Sequence, residues 1–361
     1  MPKLSRGTKL KMSIWENVSI TIAIPLFNRL ELLKRTVESV FNQTVPPNEF
    51  IIVDNGSTDG SYEYALSLKN RGVQIFRNRT NLGMIGNWNE CIKKAKSKYV
   101  VVLGSDDIIL PNYISTWKKK IAKVDRQNVA AFFSGGYIID GNDKIKGIYK
   151  PFNADLLLKP PRSLRFLWEN LHLYLSTTGW TVYDRHILEK LGYYRKKYEI
   201  AAENDLTVRI LPRFPVFYSK DVNFAFRRHG LQGFDKKVKN FDFTQERENI
   251  ENGLRVYLDF EKDESIAKSF SQKEQKLRLI VRIPASYYLV FSLLSYFVGD
   301  KRAKGYLDIF LKFYPKPIFT PMTLRLGLKW FEKIFREYLR NFYVRLGMRN
   351  RTIQDYFATL P

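Results

Sequence analysis

Val18 to Gln43 reads VSITIAIPLFNRLELLKRTVESVFNQ. The first half is a β-branched run that closes on Pro25, and the second places Leu30, Leu33, Val37 and Val40 at helical spacing. A buried strand that hands over to an amphipathic helix through a short polar turn is one step of a βαβ chain, and the step repeats. FIIVDNGSTDG (Phe50 to Gly60) is a strand running into a turn, GSYEYALSLKN is helical, and VQIFRN is a short strand. GNWNECIKKAKS is then a helix and KYVVVLG, ending at Gly104, a further buried strand. This alternation predicts an α/β fold with a mostly parallel sheet flanked by helices. In such a sheet the ligand crevice lies beyond the carboxyl ends of the strands. Those ends carry Asn28 and Arg29, then Asp54, Asn55 and Ser57, then Asp106 and Asp107.

The rest of the chain narrows the class. Its 361 residues suit two domains or one large one with an appendage, and 45% hydrophobic residues suffice for a sizeable core. Sixty Lys and Arg against 36 Asp and Glu give a formal charge of +24, which favours an anionic partner: nucleic acid, a phosphorylated metabolite or a lipid headgroup surface. The single cysteine, Cys91, excludes an internal disulfide framework, and with three histidines the usual Cys/His zinc spacings are absent. The basic N-terminus lacks an apolar signal core. The most apolar later run, Ala285 to Val298, is shorter than the ~20 residues a spanning helix needs, so no transmembrane helix is expected. An N-terminal extension (1–17), a catalytic unit (18–233) and a mainly helical, basic C-terminal region (234–361) are the expected divisions. In the last of these, Leu328, Phe331, Phe335, Leu339 and Phe342 face one way and Lys329, Lys333, Arg336 and Arg340 another. That pattern suits an interfacial membrane helix or a helix packed on the catalytic unit.

In VVLGSDDIILP (Val101 to Pro111) two carboxylates stand side by side at the end of a buried strand. Like charges in a crevice raise each other's cost of ionisation unless a cation joins them, and hard Mg²⁺ or Mn²⁺ suits oxygen ligands shared with a substrate phosphate. A turn or helix cap also accounts for such residues.

SITIAIPLFNR, FIIVDNGSTDG, NLGMIGNWNECIKKAKSKYVVVLGSDDIILP and AENDLTVRI followed by FRRHG, in this order, resemble a family 2 glycosyltransferase of the GT-A fold over roughly residues 18 to 232. The resemblance implies an inverting enzyme that binds a nucleotide-diphosphate sugar over Mn²⁺ or Mg²⁺. The family's D-x-D-type motif often has Asp where this chain has Gly104. Asp106 then falls on the metal ligand, with Ser105 and Asp107 beside the donor. Pro25 and Phe27 would line base and ribose, and Asn28 would shape the turn. Asp54 would accept from the imide N–H of uracil or thymine, which favours UDP or dTDP, or simply form an Asx-turn. Asn81, Gly83 and Asn89 match the loop and helix over the nucleotide, where many relatives have Arg in place of Trp88.

The E-D-x-D-L-x-x-R segment of the family places its catalytic base on Glu203, with Asp205 as the other candidate. His229 would reach the metal and diphosphate, and Arg227 or Arg228 would balance charge. Gly179 and Trp180 match the acceptor-side wall, where Trp180 stacks on a sugar or fills core. No nucleic-acid motif and no G-x-G-x-x-G is present, so nucleic acid and dinucleotides are not expected partners. Neither is the Q-x-x-R-W motif of processive synthases. The implied activity is transfer of a single sugar to a glycan or lipid-linked glycan in surface polysaccharide synthesis, in the cytoplasm or on the inner face of an anionic membrane; the alternative that the charge offers is a non-catalytic basic protein that binds a membrane or nucleic acid.

Overall fold

The computed structural model describes residues 15–160, 162–163 and 179–228, together with helical positions 252, 255, 256 and 259. His229, the boundary at 233, the Ala285 to Val298 run and the amphipathic C-terminal helix lie outside the described residues.

The chain opens as the alternation predicts. Strand β1 (Ile20–Leu26) leads into helix α1 (Leu30–Phe41), β2 (Glu49–Asp54) into α2 (Ser61–Ser67), and β3 (Gln74–Arg77) into α3 (Gly83–Lys94). Then come β4 (Tyr99–Val102), the two-residue β5 (Ile108–Ile109), α4 (Tyr113–Val124), β6 (Ala131–Ser134), β7 (Gly136–Ile139), β8 (Ile145–Tyr149) and β9 (Leu156–Leu158). After β10 (Thr181–Asp184) and α5 (Arg185–Leu191), a 3₁₀ turn at Lys196–Ala201 runs into α6 (Ala202–Ile210), followed by β11 (Val216–Ser219) and β12 (Phe224–Arg227).

Eight strands form the main sheet in the order β3-β2-β1-β4-β10-β6-β11-β9. The first four are mutually parallel, and β6 and β11 share their direction; β10 and β9 run against it. The sheet is therefore mostly parallel, with an antiparallel strand at its centre. A second sheet, β5-β12-β7-β8, stands beside it.

Strand periodicity divides the core between the two faces of the main sheet. Ile20, Ile22, Ile24, Ile52 and Val101 pack against Leu33, Val37 and Val40 of α1 and Ile114 and Trp117 of α4. Ala23, Ile51, Val53, Val100 and Val102 face Ile85, Cys91 and Ile92 of α3 and Leu206 of α6. Cys91 is a buried free thiol, as a small hydrophobe should be. Val256 joins the second cluster, and Asp259 accepts from Lys197 Nζ at 2.8 Å and from the Tyr198 hydroxyl at 2.6 Å. Part of the chain beyond residue 233 thus packs on the α/β unit.

Candidate functional site

Register places Leu26 opposite Asp54 and Ala23 opposite Val102, so β1, β2 and β4 end on one rim. Asn28 leaves β1 with φ 50°, a left-handed conformation that Asn tolerates. Its backbone N–H donates to Ser57 Oγ at 3.0 Å, and its Oδ1 accepts from the Thr58 N–H at 2.8 Å. The Arg29 N–H donates to Ser61 Oγ at 3.0 Å, and the Leu30 N–H to Asp59 at 3.2 Å. Two strand-to-helix turns are thereby laced into one surface. Asp54 beneath them is fully buried and accepts from the N–H groups of Gly56 and Ser57 and from Arg77 Nε at 3.1 Å. It makes the Asx-turn. Arg77 lies over the Tyr62 ring at 4.0 Å.

Asn81 and Gly83 come together beside this turn in an asparagine network. Asn55 Nδ2 donates to Asn81 Oδ1 at 2.8 Å and to the Gly83 carbonyl at 3.3 Å, while its Oδ1 accepts from Asn78 Nδ2 and the Leu82 N–H. Asn87 receives a bond from Asn78 and donates to the Val53 carbonyl at 3.1 Å. The sequence reading passes over Asn78 and Asn87; the spacing in NRTNLGMIGNWN is the signal that carries them. Asn89 stands apart. Its amide donates to the Tyr194 carbonyl at 2.9 Å and accepts from the Tyr194 N–H at 3.0 Å, tying α3 to the chain before α6. Trp88 packs edge-on to the Tyr194 ring at 5.4 Å.

The two adjacent aspartates diverge. Asp106 stays at the rim, its Oδ2 2.6 Å from Arg29 Nη1, with the two side chains 16% and 21% exposed. Asp107 turns inward, its Oδ1 accepting the Arg227 N–H at 2.9 Å and its carbonyl accepting the Thr36 hydroxyl at 2.8 Å. Burial, then the neighbouring Asp106 charge, push the Asp107 carboxyl well above its usual range. Arg227 is fully buried; it donates from Nε to the Asp106 carbonyl at 2.6 Å and pairs with Asp143, which also holds Arg35 at 3.0 Å. Ser105 is buried in the turn closed by the Asp107 N–H on the Gly104 carbonyl. A Cβ on Gly104 would lie 2.7 Å from Asp107 Oδ2 and 2.9 Å from Asp106 Oδ1. Both carboxylates lean over the glycine, where the family's first Asp would need to stand.

Among the described residues no group of three His, Cys, Asp or Glu could hold a metal on its own. A rim carboxylate such as Asp106 is nonetheless an oxygen donor of the kind a hard Mg²⁺-type ion takes, so the residues fit such an ion. Arg228 is exposed at the end of β12, where its N–H donates to the Ile139 carbonyl at 2.7 Å.

The second acidic pair also splits. Asp205 is buried and accepts from Arg209 Nε at 3.0 Å and Nη2 at 2.7 Å, with Arg195 3.5 Å away. Arg209 in turn donates to the carbonyls of Leu191 and Tyr193. Glu203 is half-buried, and its charge adds to burial in raising the phenols of Tyr183 and Tyr194. Gly179 has φ 81°, and a Cβ there would meet the Phe224 ring at 2.5 Å. Trp180 is 4% exposed and lies among Tyr149, Phe224 and Phe226 at 5.3–6.1 Å between ring centroids. Its position is that of a core side chain.

The description "Glycosyl transferase family 2" fits residues 21–192, the stretch that builds the rim. The chain carries a family 2 glycosyltransferase domain. Glycosyltransferase GlyG of Streptococcus pneumoniae is 30% identical over 34% of this chain and 42% of its own length. The poly(ribitol-phosphate) beta-glucosyltransferase of Bacillus spizizenii is 29% identical over 38% of this chain and 22% of its own. Matches to the first curated relatives span less than half of those proteins. The crystal structure of S. aureus TarS 1-349 in complex with UDP shares the fold, with TM-score 0.52 and 13% identity over 84% of this chain and 93% of that one. The family 2 domain thus sits in a GT-A α/β architecture. No helix among the described residues is long and apolar enough to cross a membrane.

Proposed function

We propose that this chain transfers a sugar from a nucleotide-diphosphate donor to a hydroxyl of a glycan or lipid-linked glycan, with inversion, in building a cell-surface polysaccharide. The observation that carries this reading is the composition of the rim. Phe27 is 44% exposed and Met84, in the first turn of α3, 51%; with Ile148 they are the exposed large hydrophobics among the described residues. A nucleobase would cover two of the three. Asp106 and Arg29 stand on the same rim for the diphosphate. Pro25 and Asn28 shape the approach to Phe27, and Asn81 and Gly83 the approach to Met84.

Glu203 is the base. Its carboxylate takes the acceptor proton as that oxygen bonds to the anomeric carbon, and the bond to the diphosphate breaks with its electron pair leaving on phosphate oxygen. Asp205, locked on Arg209, positions α6. A divalent ion, when bound, supplies charge neutralisation for the departing diphosphate. Arg29 and Arg228 add positive charge at the same edge. UDP is the first nucleotide to try, because a protein of this fold is seen with it; dTDP is the second. The net charge of +24 favours an acceptor presented on an anionic cytoplasmic membrane face.

Calorimetry with UDP, dTDP and GDP, with and without Mn²⁺, on wild type and Asp106→Asn tests the reading. It expects one nucleotide to bind with metal dependence that the variant loses. Absence of binding to every nucleotide sinks it.

A further inference from the structure

α3 begins at the nucleotide rim without a cation of its own: from Gly83 to Cys91 it carries neither Lys nor Arg. The segment before α6 supplies one. Three contacts lay that segment along α3, running towards its N-terminus. Lys93 Nζ lies over the Tyr193 ring at 5.8 Å, Asn89 bonds both ways to the Tyr194 backbone, and Lys196 reaches Gly86. At Gly86 a Cβ would meet Lys196 Nζ at 3.0 Å and Cε at 3.1 Å. The glycine is thus a notch that receives the lysine tip.

Arg195, Lys196 and Lys197 are consecutive, and their partners differ. Arg195 faces Asp205 at 3.5 Å and Lys197 binds Asp259 at 2.8 Å. Lys196 faces no acid among the described residues. Its ammonium rests about one helical turn, ~5 Å along the axis, from the Asn81 to Gly83 loop. Downstream, the backbone bends sharply at Glu199 (φ 46°, ψ −122°) and enters α6, whose second residue is Glu203. The lysine therefore stands on the segment that joins the nucleotide rim to the base. A strongly hydrated point charge on a flexible stem, with no acid beside it among the described residues, is suited to a phosphate.

We propose that Lys196 is a binding residue for the donor diphosphate. The proposal rests on the nucleotide-sugar reading above and adds to it the cation that α3 lacks.

The test is calorimetry of Lys196→Met and Lys196→Arg with UDP, dTDP and GDP and with the matching nucleosides, which lack the phosphates. Removing a charge-assisted bond to phosphate should weaken diphosphate binding by about 10- to 100-fold in Lys196→Met. Nucleoside binding should be unchanged, and Lys196→Arg should restore most of the affinity. Wild-type affinity for the diphosphate in Lys196→Met overturns the proposal and leaves the donor reading intact. An equal loss for nucleoside and diphosphate overturns it as well, since the lysine would then act only through the shape of the loop. Wild-type protein that binds no nucleoside diphosphate overturns the donor reading and this proposal together.

Discussion

Glu203 and Asp205 lie two residues apart on one helix, and the proposed function gives them opposite parts that substitution separates. Asp205 neutralises Arg209, whose side chain is 5% exposed against 3% for the aspartate. With Asp205→Ala the guanidinium keeps the Leu191 and Tyr193 carbonyls but loses its anion, and stranding a buried charge in this way costs about 3–5 kcal/mol. At ~2–4 °C per kcal/mol for a unit of roughly this size, the midpoint of thermal unfolding should fall by about 6–20 °C. Asp205→Asn keeps one acceptor for Arg209 and should cost about 1–3 kcal/mol. Glu203→Gln keeps the side chain's length and one carbonyl oxygen at a half-buried position, so unfolding should change by less than with Asp205→Ala while turnover falls by about 10²–10⁴-fold. The assays are urea unfolding beside release of nucleoside diphosphate from whichever sugar donor supports turnover. Asp205→Asn that abolishes turnover at wild-type stability, with Glu203→Gln fully active, refutes the assignment.

Three further outcomes are expected. Gly104→Ala should destabilise by about 1–3 kcal/mol, because its Cβ has two carboxylates within 3.0 Å; an unchanged urea midpoint contradicts that crowding. Mn²⁺ titrated into protein alone should bind far more weakly than into protein saturated with the preferred nucleoside diphosphate, and equal affinities would mean that the protein holds the ion unaided. Asp107, whose folded-state carboxyl is raised, keeps its proton where the unfolded chain has lost it, so its contribution is full below about pH 4 and is lost as pH rises through the folded value. Urea midpoints of wild type and Asp107→Asn at several pH values should therefore diverge in favour of the variant as pH rises, and a constant difference removes the inference.

The rim was legible because it follows from local chemistry. β-branched runs, Pro25 and the glycine turns set the strand ends, and parallel order brings those ends together. The inward or outward choice of each acid was not legible. DD and END look alike in sequence, but Asp107 turns in because the Arg227 N–H waits behind it, and Asp205 because Arg209 and Arg195 do. Trp180 has the composition of a stacking platform and is buried because Tyr149, Phe224 and Phe226 close over it. The antiparallel β10 and the second sheet escaped for the same reason. Ile108–Ile109 has no strand signature of its own and is ordered by pairing with Phe224 and Ala225 far along the chain.

That pairing also fixes when the carboxylate turn can form. The bond from the Arg227 N–H to Asp107 spans 120 residues, and Arg227 lies beyond the stretch in which the family pattern is recognised. Long-range closure of this kind is slow and comes after the local βα steps. On a growing chain, β1 to β4 can stack while Asp107 still lacks its donor, and Asp106 takes its final place only once β12 has been made and docked. The turn is assembled late, and fraying of β12 would release it early.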